Sequence, residues 1–182
     1  MKITINALLA LLVAATTSVA SDIVSTFDSS DEGWKVIVLP DYGPYSAISF
    51  GPLSPTFSPS GGNPGGYILS ADPQGIDGTF YFEAPAPFLG DRSSSYGLRI
   101  SYDVKTSGGG QEWKDADMVL VGRNGVILVI ATAFSPTTDW RKQAVVLHES
   151  AGWRIGALNG PIPSRTQFMR NGVHPRELQR CI

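Results

Sequence analysis

The sequence predicts an all-β fold, a sandwich or barrel of short strands. Three observations carry that reading. Runs of β-branched and aromatic residues recur along the chain, and several alternate apolar and polar positions with period two. Gly 20 and Pro 13 punctuate the 182 residues too often for long helices. Between Ser21 and Gly156 no stretch offers a capped amphipathic helix, which removes a doubly wound nucleotide-binding fold.

The elements follow in order. "DIVSTF" predicts a short strand over Ile23 to Phe27, and "DSSDEG" a turn. "WKVIVL", Trp34 to Leu39, is a β-branched and aromatic strand that Pro40 stops. From Pro40 to Gly66 the composition is Pro, Gly, Ser and aromatic, which predicts one long loop. "GYILSAD" is a strand over Gly66 to Asp72. "GTFYFEAP" alternates Phe80 and Phe82 against Thr79, Tyr81 and Glu83, the pattern of a half-buried strand. "YGLRISYDV" alternates Leu98, Ile100, Tyr102 and Val104 against Arg99, Ser101 and Asp103. "ADMVLVG" and "VILVIATA" flank Asn124-Gly125, a hairpin signal. "WRKQAVVLHE", Trp140 to Glu149, continues the series and "GWRIG" ends it.

Composition and the N-terminus bound the setting. Hydrophobic residues at 42% argue against disorder, and a net charge of −2 gives no electrostatic footprint for nucleic acid. Lys2, the apolar run "ALLALLVAA" and small Ser18 and Ala20 make the three-part pattern of a secretory signal over residues 1–20. The mature chain is then expected to begin at Ser21, in a secreted or periplasmic setting. The leader is too short to span a bilayer comfortably and no second apolar stretch is long enough, so no membrane span is expected. One cysteine, Cys181, forms no internal disulfide, so stability must come from burial.

Several segments, taken together, resemble the laminin B domain, also called the laminin IV type A module. "FLGDRSSSYGLRISYDV" resembles its opening through Phe88, Leu89, Gly90, Asp91, Tyr96 and Gly97. "DMVLVGRNGVIL" resembles its central hairpin through Asp117, Leu120, Gly122 and Gly125. "VVLHESAGW" resembles its later strand through Leu147, Glu149 and Trp153. "FDSSDEGW" and "GGYILSAD" fit the segments ahead of these, so the resemblance spans about Phe27 to Ile155. It implies a jelly-roll β-sandwich akin to galactose-binding modules, extracellular and non-enzymatic. Its partner would be an extracellular protein or glycan.

The chemistry-bearing residues fit that expectation. Of the two histidines, His148 is expected on a strand, pointing opposite to its neighbour Glu149, so the pair makes no dyad. No Gly-x-Ser-x-Gly, His-Glu-x-x-His or phosphate-binding glycine loop is present. A two-carboxylate hydrolase is the weaker alternative, with Glu83, Asp103, Glu112 and Glu149 as the available acids. For a metal, Asp28, Asp31 and Glu32 in "DSSDE" offer oxygen ligands for a structural calcium. The competing reading is a solvated turn that caps local backbone donors, with Trp34 anchoring the first core strand. No other cofactor is implied. For a carbohydrate, Tyr42, Tyr45 and Trp113 are the candidate stacking rings, beside Phe50, Phe57, Tyr67 and Trp140, while Trp153 fills the core.

The domain is expected over residues 21–159. Residues 160–182, with Pro161, Pro163, Gly172, Pro175 and four arginines, have no evident strand. They are expected to form a poorly ordered tail of a C-terminally truncated domain. The rival expectation pairs "SRTQFMR" as a short edge strand.

Overall fold

The computed structural model describes residues 22–40, 45, 48–71, 77–108, 115–122, 124–133, 136–173 and 175–181. Residues 1–20, expected from the sequence to be a secretory leader, lie outside them. The strands are β1 (Lys35–Leu39), β2 (Phe50–Leu53), β3 (Thr56–Ser58), β4 (Tyr67–Leu69), β5 (Thr79–Glu83) and β6 (Arg99–Val104). They continue as β7 (Met118–Gly122), β8 (Ile127–Ile130), β9 (Arg141–Val146), β10 (Arg154–Ile155) and β11 (Pro175–Cys181), with one α-helix, α1 (Arg165–Asn171). The all-β class holds. Seven strands form one sheet in the order β10-β8-β7-β11-β5-β1-β2, and two pairs, β3-β4 and β6-β9, stand beside it.

The large sheet is apolar on both faces, which explains its near-continuous hydrophobic strands. Alternation sends Met118, Leu120, Leu128 and Ile130 to one side. There they meet Val145 and Leu147 at and beyond the end of β9, together with Trp153, Phe168 and Val173. Val119, Val121, Val129, Ile37, Leu39 and Tyr81 form a second cluster with Tyr45 and Ala116. Tyr81, on the side of β5 expected to face water, is therefore 0% exposed.

Two segments differ from expectation. The long loop from Pro40 to Gly66 contains β2 and β3; β2 is the sheet's edge and pairs with β1 despite Pro52, a tolerated place for proline. Ile23 to Phe27 forms no strand. It crosses Gly66 so closely that a Cβ there would lie 1.8 Å from the Phe27 carbonyl oxygen. The side chain of Trp34 holds it in place: its ring meets Phe27 and Phe88 at 6.3 and 5.4 Å, and its Nε1 donates to Ser25 Oγ at 2.8 Å.

The C-terminal segment requires the largest correction. The described residues from Gly160 onward form a helix and a strand rather than a loose tail. "RTQFMRN" is the helix α1, not an edge strand, and Ser164 caps it. Ser164 Oγ accepts from Gln167 N while Gln167 Oε1 accepts from Ser164 N, a reciprocal capping box. Phe168 is 0% exposed and packs edge-on against Trp153. "PRELQRC" is β11, in the middle of the sheet, with Leu178 opposite Leu120 and Arg180 opposite Phe82. A central strand is held by backbone pairing on both edges, so it forms here without an alternating apolar pattern.

Candidate functional site

Strands β6 and β9 pair antiparallel over six positions, from Arg99 opposite Val146 to Val104 opposite Arg141. Period-two geometry divides them into two faces. Ile100, Tyr102, Val104 and Val145 turn to the core, where Val104 and Val145 are 4% and 3% exposed. The other face carries Arg99, Ser101 and Asp103 on β6 and Lys142, Ala144 and Val146 on β9. Arg99, Ser101, Lys142 and Ala144 are all exposed. Among the described residues neither Arg99 nor Lys142 makes an ion pair. Ser101 and Ala144 lie opposite each other and are small, so the middle of the face is a shallow floor between cationic ends.

One end of this floor is walled. Lys105, in step with Asp103 just beyond β6, holds its ammonium 4.9 Å from the Trp140 ring and 5.7 Å from the Tyr67 ring. The two rings meet edge to face at 5.6 Å. Trp140 Nε1 donates to the Gly61 carbonyl at 2.8 Å, and Asn63 Nδ2 donates to Asp103 Oδ1 at 3.2 Å. The glycine-rich loop before β4 is thus fastened to the end of the β6-β9 pair.

A second polar cluster lies where β9 ends. The Tyr96 hydroxyl donates to Glu149 Oε2 at 2.6 Å. That bond holds the Glu149 carboxyl below its ordinary range and raises the Tyr96 phenol. Arg165 of α1 lies 5.2 Å from the Tyr96 ring. His148 Nδ1 is 3.8 Å from Glu149 Oε2 and accepts from Ser150 N at 3.2 Å. Here the strand expectation fails: β9 stops at Val146 and Glu149 opens a 3₁₀ turn, so the two side chains approach rather than diverge. The cluster joins α1 to the turn after β9.

Profile comparison matches residues 81–171 to Laminin B (Domain IV), half of the chain. The chain belongs to the Laminin B family. No curated protein and no solved structure matches it. Laminin B domains are structural and interaction modules rather than enzymes, and they are typically extracellular. In this Laminin B chain the match runs from Tyr81 in β5 to Asn171 at the end of α1, past the boundary expected at residue 159. Among the described residues no helix is long and apolar enough to cross a membrane.

The residues singled out from sequence fare unevenly in the Laminin B fold. Tyr45 is in the core at 3% exposure, and its hydroxyl donates to Asp115 Oδ1. A ring buried there has no face to offer a sugar, which corrects its assignment as a stacking residue. Tyr42 and Trp113 lie outside the described residues, as does Glu112. Asp28, Asp31 and Glu32 each serve a local donor. Glu32 Oε1 accepts from Thr26 N at 3.1 Å and Phe27 N at 2.7 Å. Asp31 Oδ1 accepts from Gly33 N at 3.0 Å, and Asp28 Oδ2 from Thr26 Oγ1 at 2.8 Å. The arrangement is a hydrogen-bonded turn. Among the described residues no group of three or more His, Cys, Asp and Glu side chains is placed to share a metal ion. As hydrolase acids, Asp103 and Glu149 are not brought together: about 14 Å of strand separates Lys142, opposite Asp103, from Val146, and Glu149 lies three residues further. A carboxylate pair acts across roughly 5–9.5 Å. The candidate surface that sequence reasoning missed is the basic face itself. Its signal was present, since Arg99, Ser101 and Asp103 occupy the polar phase of an alternating strand.

Proposed function

We propose that this chain is an exported, non-enzymatic interaction module that engages an extracellular partner through the outer face of β6 and β9. Membership in the Laminin B family carries the reading, because the family's members are interaction modules of extracellular type. The exposed outer face of β6-β9 supports it, since a sheet face left to solvent beside a sheet whose central strands are covered is available for contact.

The experiment has two parts. The full chain is expressed with its leader, and the exported fraction is analysed by N-terminal sequencing. The exported protein is then applied to arrays of extracellular matrix proteins and of glycans. The expected result is an exported chain beginning at Ser21 that binds saturably and leaves its partner chemically unchanged. Retention inside the cell, or turnover of a bound glycan, contradicts the reading.

A second reading makes the partner a neutral carbohydrate stacked on aromatic rings. The Tyr67 and Trp140 pair is the observation that favours it. Lys105 already lies over both rings, so a sugar stacking there would have to displace the ammonium, and this reading ranks second.

A further inference from the structure

Resting on the interaction-module reading, we propose that the outer face of β6-β9 is a trough for a linear anionic polysaccharide, such as a sulfated or uronic-acid chain. The charge distribution is the first argument. The molecule carries a net charge of −2, yet along the outer face Arg99, Lys105 and Lys142 stand against a single carboxylate. That carboxylate, Asp103, is half-buried and accepts a hydrogen bond from Asn63. Arg99 and Lys142 are exposed and, among the described residues, neither makes an ion pair; Asp103, across from Lys142, offsets only part of the charge of the three cations.

Shape is the second argument. Arg99, Ser101, Asp103 and Lys105 follow one another at alternate positions, which spreads the cations over about 20 Å of strand. Between them Ser101 and Ala144 form a floor with no bulky side chain. A flat trough with separated cations suits an extended polyanion with repeating charges. At the walled end Trp140 and Tyr67 meet edge to face with the Lys105 ammonium beside them, a wall against which a pyranose ring rests while its acidic group meets Lys105. A lipid headgroup surface is a poorer match: membrane-surface sites pair their cations with protruding apolar side chains, whereas the middle of the floor here is serine and alanine and Val146, opposite Arg99, is half-buried.

The probe is a heparin-derived oligosaccharide, titrated calorimetrically into the exported chain, with vesicles containing phosphatidylserine as the comparison. R99S/K142S removes two cations of the trough, and K35S/R170S removes two cations elsewhere. The expected result is binding that weakens as salt rises, falls by roughly tenfold to thirtyfold in R99S/K142S, and is unchanged in K35S/R170S. Circular dichroism confirms that each variant is folded. Equal losses in the two double variants overturn the trough, as does vesicle binding in place of oligosaccharide binding. Failure of the parent to bind the oligosaccharide, while it binds a protein or neutral glycan on the arrays, overturns the trough and leaves the interaction-module reading intact. Shortened oligosaccharide products after incubation overturn both.

Discussion

Strand β7 is buried at all five of its positions, whereas β9 is exposed at three of its six. Both are antiparallel strands of one domain, and the difference lies in what covers them. The central strands of the seven-stranded sheet have an apolar cluster on each face, so substitution on either side of them meets packed neighbours. The β6-β9 pair gives one face to the core and leaves the other to solvent. The first region spends its residues on holding the fold; the second has a face that packing does not constrain. Arg99 and Lys142 are there for what faces them, which is solvent and, on the proposed reading, a partner.

The contrast predicts where substitutions hurt. The largest effect is expected in the shared core. Trp153 is 0% exposed, stacks edge-on with Phe168 and donates from Nε1 to the Val146 carbonyl at 2.9 Å. W153A removes all of this and should cost about 3–5 kcal/mol. Urea unfolding measures it, and a loss below about 1 kcal/mol would show that the core is not organised around this ring.

Next comes Gly122, at the end of β7. A Cβ there would lie 2.6 Å from Asn171 Oδ1 and 2.9 Å from Asn171 Cα. The second contact is backbone, so α1 must move. G122A should cost about 1–3 kcal/mol and speed amide exchange in α1. Unchanged exchange across Arg165 to Asn171 would mean that the helix does not pack on this position.

A smaller and pH-dependent effect is expected at Tyr96 and Glu149. Glu149 has its carboxyl lowered in the folded state, so its contribution is present above the ordinary carboxylate range and lost as pH falls through the lowered value. Tyr96 is raised, so its contribution is present below the ordinary phenol value and lost as pH rises through the raised one. Y96F should return the Glu149 carboxyl toward its ordinary value, read by NMR titration of its side-chain carbon. An unmoved titration would show that the hydrogen bond does not set it.

The smallest effect belongs to the outer face. R99S/K142S should change stability by no more than about 0.5 kcal/mol, since both side chains are exposed. A larger loss in urea unfolding would mean that these cations support the fold, and would erase the contrast between the two regions.

How much of this was legible in the sequence follows the same division. The central strands were, because β-branched runs and the Asn124-Gly125 turn are local signals. The C-terminal strand was not. "PRELQRC" owes its place to β5 and β7 on either side, and nothing within those residues encodes their neighbours. Helix α1 is an intermediate case: Ser164 and Gln167 stand at capping-box spacing, a local signal outweighed by the surrounding prolines. Tyr45 misled for a related reason. A tyrosine amid proline and glycine reads as a surface ring, yet Asp115, seventy positions away, receives its hydroxyl inside the fold. The basic face was half legible: alternation marked Arg99 and Asp103 as outward, but only the register places Lys142 opposite Asp103.

The most direct measurement is amide chemical-shift mapping of the protein titrated with the heparin-derived oligosaccharide. The account predicts shifts confined to Arg99–Lys105, Trp140–Val146 and the loop around Gly61 and Asn63, with β1, β5 and β7 unmoved. Shifts centred on the β2 edge or on the Tyr96 and Glu149 cluster, with the outer face silent, would contradict it.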